Sequence, residues 1–264
     1  MNMQLDTLTQ EDLYGALELQ PDDWGDIQPA LDFYTRSDFC FPVKLSIAGR
    51  IVGIGTRIHH EDVAWLGHII VHRDFRRQGI GLQITKHLIA AANSNTIYLL
   101  ATNLGAPVYE KAGFVTEAEY LFFKDVNPLA TVVDPIIQPY HARYEQQIAQ
   151  LDWDASGERR FFHLQLYLKD SFVYVAGDKV LGFLLPGFGD GLIIADNEAA
   201  GFALMQKRME NNEKAVFPAN NEVARQFLYR MGAKEVSVGK RMRLGAERKL
   251  KLQNIYNRIG GNLG

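Results

Sequence analysis

One stretch constrains this chain more than any other: Val71-His72-Arg73-Asp74-Phe75-Arg76-Arg77-Gln78-Gly79-Ile80-Gly81-Leu82. Ahead of it, Trp65 to Val71 is apolar except at Gly67 and His68 and reads as a buried strand. After it, Leu82, Ile84, Leu88 and Ile89, set among polar Gln83, Lys86 and His87, have the spacing of an amphipathic helix. The chain therefore runs from a strand, through a basic glycine-bearing turn, into a helix N-terminus. The first-turn N–H groups of such a helix lack partners within it, and the helix dipole adds partial positive charge, so the corner suits a phosphate. Gly79 and Gly81 carry no Cβ and let a pyrophosphate approach the backbone. Arg76 and Arg77 add charge and paired donors. Two familiar phosphate turns are excluded. The P-loop requires a Gly-Lys-Ser/Thr ending, which is missing, and the dinucleotide pattern requires a third glycine where Ile84 stands.

The remaining pattern, Arg-x-x-Gly-x-Gly from Arg76 to Gly81, resembles the acyl-CoA-binding loop of the GNAT superfamily of N-acetyltransferases. The resemblance extends over the whole of Val71 to Gly81. A second block, Thr102-Asn103-Leu104-Gly105-Ala106-Pro107-Val108-Tyr109-Glu110-Lys111-Ala112-Gly113-Phe114, is similar to the later Tyr-Glu-Lys-x-Gly-Phe segment of that family. The resemblance implies acetyl-CoA as co-substrate, with direct attack of an amine on the thioester. It implies that Arg76, Arg77, Gln78, Gly79, Ile80, Gly81 and Leu82 hold the phosphates. Ile69, Ile70 and Val71 would offer strand backbone to the pantetheine amides, and Thr102, Asn103, Ala106 and Tyr109 would complete the cofactor site. Tyr109 stands where many members carry the tyrosine that protonates the leaving thiolate. A lysine-like amine, with a pKa near 10.4, arrives protonated and must lose that proton. Many members place Glu or His on the fourth strand for this step. Here the inward positions are Trp65 and Gly67, which cannot act. His68 is expected on the opposite face unless a bulge re-aims it. His59, His60 and Glu61 lie at the preceding strand connection, and a water chain serves equally, so the base stays unassigned.

Taken in order, Met3 to Leu8 suggests a strand, and Thr9 a helix N-cap followed by Leu13, Ala16 and Leu17. Asp22, Asp23, Trp24 and Asp26 form an acidic connector, which in the family overhangs the acceptor. Residues 41–47 and 51–58 read as a hairpin, and 96–101 as a buried strand. Residues 125–140, with Pro128, Pro135 and Pro139, read as a linker. Beyond it the order of elements repeats: hairpin, strand, helix, strand, helix, strand. Thr102 to Gly113 and Asn221 to Gly232 have equal spacing. The expected fold class is α/β, a mixed α+β arrangement of two tandem units, each a central mixed sheet flanked by helices. The units are placed at 1–127 and 135–264. The second copy passes from Leu192-Ile193-Ile194-Ala195-Asp196 straight into a helix, without an arginine-glycine loop, and Leu228 stands where Tyr109 stands in the first. It resembles the degenerate C-terminal domain of some bacterial tandem GNAT proteins. Leu250, Leu252, Ile255 and Ile259 are expected on an amphipathic tail helix.

A net charge of −3 gives no global basic field for nucleic acid. The single cysteine, Cys40, excludes an internal disulfide framework, and no Cys/His/Asp spacing suggests a metal. No apolar run approaches a membrane span, and residues 1–6 lack the pattern of a signal peptide, so a cytoplasmic location is expected. The expected function is acetyl-CoA-dependent N-acetyl transfer by the N-terminal domain, to a small-molecule amine in preference to a protein. The alternative is a non-catalytic acyl-CoA-binding module or sensor.

Overall fold

The computed structural model describes residues 3–22, 24–127 and 136–264. The chain forms two compact units that are not contiguous in sequence. The first contains residues 1–116, 242–246 and 261–263; the second contains 117–241, 247–260 and 264.

The first unit opens with β1 (Met3–Thr7). Thr9 and Asp12 then form a reciprocal capping box that starts a short 3-10 turn leading into α1 (Leu13–Leu17), as the Thr9 cap predicted. There follow α2 (Gln28–Arg36), β2 (Cys40–Ile47), β3 (Arg50–His59) and β4 (Ala64–Val71). After a 3-10 turn at Arg73–Phe75 come α3 (Ile80–Ala90), β5 (Thr96–Ala101) and α4 (Ala106–Lys111). Pro107 sits in the first turn of α4, where its missing N–H costs nothing. β6 (Val115–Lys124) leaves the first unit after residue 116.

The second unit holds β7 (Ile137–Pro139), α5 (Glu145–Ser156), α6 (Phe161–Leu164), β8 (Phe172–Ala176), β9 (Lys179–Leu185) and β10 (Leu192–Ala195). It continues with α7 (Glu198–Met209), β11 (Ala215–Pro218), α8 (Glu222–Arg230), β12 (Lys234–Gly245) and β13 (Ile255–Asn257). The last four residues of β12 belong to the first unit.

In the first unit the strands lie in the order β1-β2-β3-β4-β5-β12. β1 to β4 pair antiparallel and β4 pairs parallel with β5, so the sheet is mixed. Ile80, Ile84 and Leu88 of α3 pack on Ala64 and Leu66 of β4, Ile97 and Leu99 of β5, and Met242. The spacing that predicted an amphipathic α3 is the face buried here. The second unit has β12, β6 and β11 as neighbours, and a separate sheet in the order β13-β10-β9-β8-β7, antiparallel wherever its register is described. The mixed α/β class is thus as the sequence predicted.

The tail corrects the expectation of a helix. Leu252 to Asn254 make one 3-10 turn, and Ile255 to Asn257 pair with β10 as a strand. Adjacent Ile255, Tyr256 and Asn257 are all buried, which a strand in a packed sheet permits and a surface helix does not. Part of the expected linker also becomes structure, since Ile137–Pro139 pairs with β8, while residues 128–135 lie outside the described residues. Among the described residues, no helix is long and apolar enough to cross a membrane.

Residues 242–246 complete the first unit's sheet beyond β5. Ala246 N–H donates to Asn95 O at 2.9 Å, Thr96 Oγ1 donates to Ala246 O at 2.9 Å, and Met242 is fully buried. A fragment of residues 1–127 lacks all of these contacts. Expressed alone, it is expected to show no cooperative thermal transition by circular dichroism, whereas the full chain shows one. In the full chain, Met242→Ala is expected to cost about 2–5 kcal/mol in urea unfolding.

Candidate active site

The centre of the first unit is a fault in β4. Thr56 of β3 faces Gly67 and Ile54 faces Ile70, so Gly55 alone stands opposite both His68 and Ile69. This two-against-one register is a β-bulge, and His68 takes the left-handed conformation at φ 49°. Its effect shows in which side chains reach α3. Before the bulge these are Ala64 and Leu66; after it they are Ile69 and Val71. The extra residue has shifted the alternation by one.

His68 is therefore turned to the other face. Its Nδ1 lies 2.8 Å from the Tyr34 hydroxyl of α2, and its ring meets Trp24 edge-on at 5.9 Å. Regular alternation placed His68 on the α3 face; the bulge reverses that, by the route the sequence reading allowed for. Burial holds the imidazole neutral, with its pKa pushed down to about 4. Burial also raises the Tyr34 phenol, so it stays protonated.

The same fault opens the sheet. β4 and β5 pair at Ala64 with Ile97, Trp65 with Tyr98 and Leu66 with Leu99. Among the described residues the ladder ends there, although both strands continue. The β5-side backbone groups of Gly67 to Val71 thus form an internal edge, and Ile69, Ile70 and Val71 lie along it. Such an edge can take an extended amide-bearing chain as one more strand.

Past that edge the chain turns into α3. Gly79 is its N-cap at φ 81°, a conformation that strains any residue with a Cβ. A Cβ built at Gly79 would meet nothing within 4 Å, and Arg76, Arg77, Gln78 and Gly79 are all exposed. No side chain caps this end of the helix, so its free N–H groups are open to an anion. Arg76 Nε donates to Val71 O at 3.2 Å and ties the loop to the strand end. Ile80 is buried as a core anchor and Leu82 is half-buried. At Gly81 three elements meet, since a Cβ there would lie 3.6 Å from Val71 and 3.9 Å from Val108 of α4.

Thr102 and Asn103 are exposed in the turn from β5 to α4, and Thr102 O accepts from both Gly105 and Ala106 N–H. Ala106 is buried, and half-buried Tyr109 packs over Gly105 and edge-on to Phe114. Among the described residues the Tyr109 hydroxyl makes no hydrogen bond. Burial pushes its pKa up to about 12, so it carries its proton throughout the neutral range.

The other candidates scatter. His59 pairs with Ser94 Oγ at 3.1 Å and faces Ala64, four residues from the bulge. At the rise of a strand that is roughly 13 Å away. His60 is buried and Glu61 is exposed beyond that strand end. Trp65 is buried against Tyr98. Asp22 and Asp26 are exposed near Trp24, and Asp23 lies outside the described residues. Tyr34 and Asn262 were not singled out from sequence. Tyr34 lacks any motif, and Asn262 comes from the far end of the chain.

The second unit lacks this geometry. Its α7 is capped by the Asn197 side chain, which accepts from Ala200 N–H at 2.9 Å, and Glu198 puts negative charge in the first turn. A Cβ at Gly201 would lie 2.1 Å from the Tyr256 ring, so that ring covers the start of the helix.

Residues 36–116 match the model of the acetyltransferase (GNAT) domain. No curated relative matches by sequence. The fold is shared along nearly the whole chain with solved structures of low identity. A Pyrococcus horikoshii protein thought to be an acetyltransferase has a TM-score of 0.84 at 20% identity, over 99% of this chain and 96% of that one. A GCN5-related N-acetyltransferase from Sphaerobacter thermophilus has a TM-score of 0.65 at 14% identity, over 94% and 98%. A tandem GNAT protein from the clavulanic acid biosynthesis pathway has 0.61 at 14%, over 93% and 99%. These likenesses show a shared fold, one that supports acyl transfer in general.

The His68 environment carries a stability prediction. Its pKa in the folded protein is depressed to about 4, from 6.5. Between those values the unfolded chain binds more protons, so stability rises with pH across that window and is lost as pH falls from 6.5 towards 4. Urea titrations should show up to about 3 kcal/mol of this slope, absent in His68→Gln.

Proposed function

We propose that the GNAT domain of the first unit is an active N-acetyltransferase that uses acetyl-CoA and an amine acceptor. The observation that carries this reading is the divergence of β4 from β5 after Leu66, directly beside the uncapped, basic N-terminus of α3. Acetyl-CoA would supply an acyl group already activated as a thioester. The chain's own groups fit its parts. Arg76, Arg77, Gln78 and the α3 N–H groups would hold phosphates, while Ile69, Ile70 and Val71 would pair the amides. A backbone N–H of the same edge would polarise the carbonyl as negative charge develops on its oxygen. Thr102, Asn103 and Ala106 would border the arm from the β5 side.

Tyr109 would serve the leaving sulfur. With its pKa near 12 against about 8.5 for a thiol, full transfer to a free thiolate is uphill by about 3.5 units, close to 5 kcal/mol. The phenol would therefore act as a hydrogen-bond donor to the sulfur as charge develops there, with the proton lost by the amine neutralising the thiolate. His68 is not a strong base: a group of pKa about 4 cannot strip an ammonium of pKa near 10.4. Its role would be to bind and orient on the acceptor face beside Trp24, with the proton leaving through water. Exposed Asp22 and Asp26 favour a cationic, small-molecule amine.

The test is CoA release from acetyl-CoA with polyamines, amino acids, amino sugars and lysine peptides. One amine class is expected to turn over, with Tyr109→Phe lowering kcat roughly a hundredfold and Arg76→Ala raising the KM for acetyl-CoA. Binding of acetyl-CoA by thermal shift without turnover of any amine would instead identify a sensor.

A further inference from the structure

The first unit is entered a third time, by residues 261–263. Asn262 Nδ2 donates to the hydroxyl of Tyr34, whose oxygen lies 2.8 Å from His68 Nδ1. The approach is tight: a Cβ at Gly67 would stand 2.5 Å from Asn262 Cβ, 3.0 Å from its Cα and 3.7 Å from Tyr34 Oη. Gly67, one residue before the bulge, thus leaves the space that Asn262 fills. We propose that Asn262 is a positioning residue of the acceptor site, which acts through the Tyr34 hydroxyl to hold His68 as its Nε2–H tautomer.

The donors and acceptors of this relay match in one way. The amide nitrogen of Asn262 has only hydrogens to offer, so the Tyr34 oxygen accepts from it. Among the described residues the phenol makes no other hydrogen bond, so His68 Nδ1 is the acceptor left for its one hydrogen. A neutral imidazole has one N–H; with Nδ1 accepting, the proton must sit on Nε2. His68 therefore presents a donor, not a lone pair, to whatever binds on that face. The matching partner is an oxygen: a carboxylate, hydroxyl or carbonyl of an amine that also carries oxygen, or an ordered water. The relay uses a residue 194 positions from His68 to decide the sense of one hydrogen bond.

The consequence for catalysis rests on the acyltransferase reading, but the tautomer does not. The first measurement is therefore the 15N spectrum of the full-length protein at pH 7, with His68 assigned by its loss in His68→Gln. An unprotonated, pyridine-like Nδ1 and a pyrrole-like Nε2 are expected. In Asn262→Asp, which preserves the shape, the carboxylate accepts from Tyr34, the phenol oxygen accepts from Nδ1–H, and the pattern inverts. In Asn262→Ala and Gly67→Ala the two tautomers mix. A wild-type protein with Nδ1 protonated overturns the proposal, and so does an unchanged His68 signal in folded Asn262→Asp. Given turnover, Asn262→Ala is expected to raise the KM for the amine at least about fivefold and to leave that for acetyl-CoA unchanged. If no amine turns over, the acyltransferase reading fails while the spectrum still decides the role of Asn262.

Discussion

The extra residue in β4 is the constraint on which the rest of the site depends. A regular strand pairs along its whole length and keeps each side chain on a fixed face. One inserted residue at His68 breaks both rules together. It moves Ile69 and Val71 onto the α3 core, turns His68 towards Tyr34 and Trp24, and coincides with the point where β5 leaves the ladder. An unpaired backbone edge inside a domain would normally be costly, because buried amide groups require partners. Here it lies beside an open helix N-terminus, so on the proposed reading one extended, phosphate-bearing ligand would satisfy both. The second unit has related elements without that arrangement. Its helix start is capped by Asn197, made acidic by Glu198 and covered by Tyr256, so the groups that would attract a phosphate are already satisfied or blocked.

The parts of the site that are local in sequence were legible there. Arg76 to Gly81 reads as a phosphate turn because its chemistry lies in consecutive backbone groups and in two residues lacking Cβ. The core face of α3 follows from periodicity, β5 from a continuous apolar run, and the Thr9 cap from its residue type ahead of an acidic first turn. The bulge was only half legible. Gly67-His68 marks an irregularity in an apolar strand, but period-two alternation puts His68 on the wrong face, and only pairing with β3 reveals the register shift.

What could not be read shares one cause: the contact partner is far along the chain. Nothing around Met242 marks it as part of the α3 core, and nothing around Asn262 points to Tyr34, 228 residues earlier. The tail misled for a related reason. Leu252, Ile255 and Ile259 fit a helical stripe, but the pairing offered by β10 outweighed that weak local preference, and Ile255–Asn257 became a strand.

This distribution of contacts bears on how the first unit can exist at all. Its sheet ends on residues 242–246 and its His68 face on residue 262, all of them synthesised after residues 117–241 of the second unit. Closing such long loops is entropically slow but costs little extra once closed, since the penalty grows only with the logarithm of length. The burden falls on folding rate rather than stability. A chain built this way cannot complete its first unit before residues 117–241 have been made. The turn into α3 and the β4 bulge draw on nearby strands, but the core beneath α3 closes only with Met242, and the hydrogen bond to Tyr34 only with Asn262. Neither the α3 face nor the His68 face is thus encoded within one contiguous segment: the first closes on Met242 and the second on Asn262.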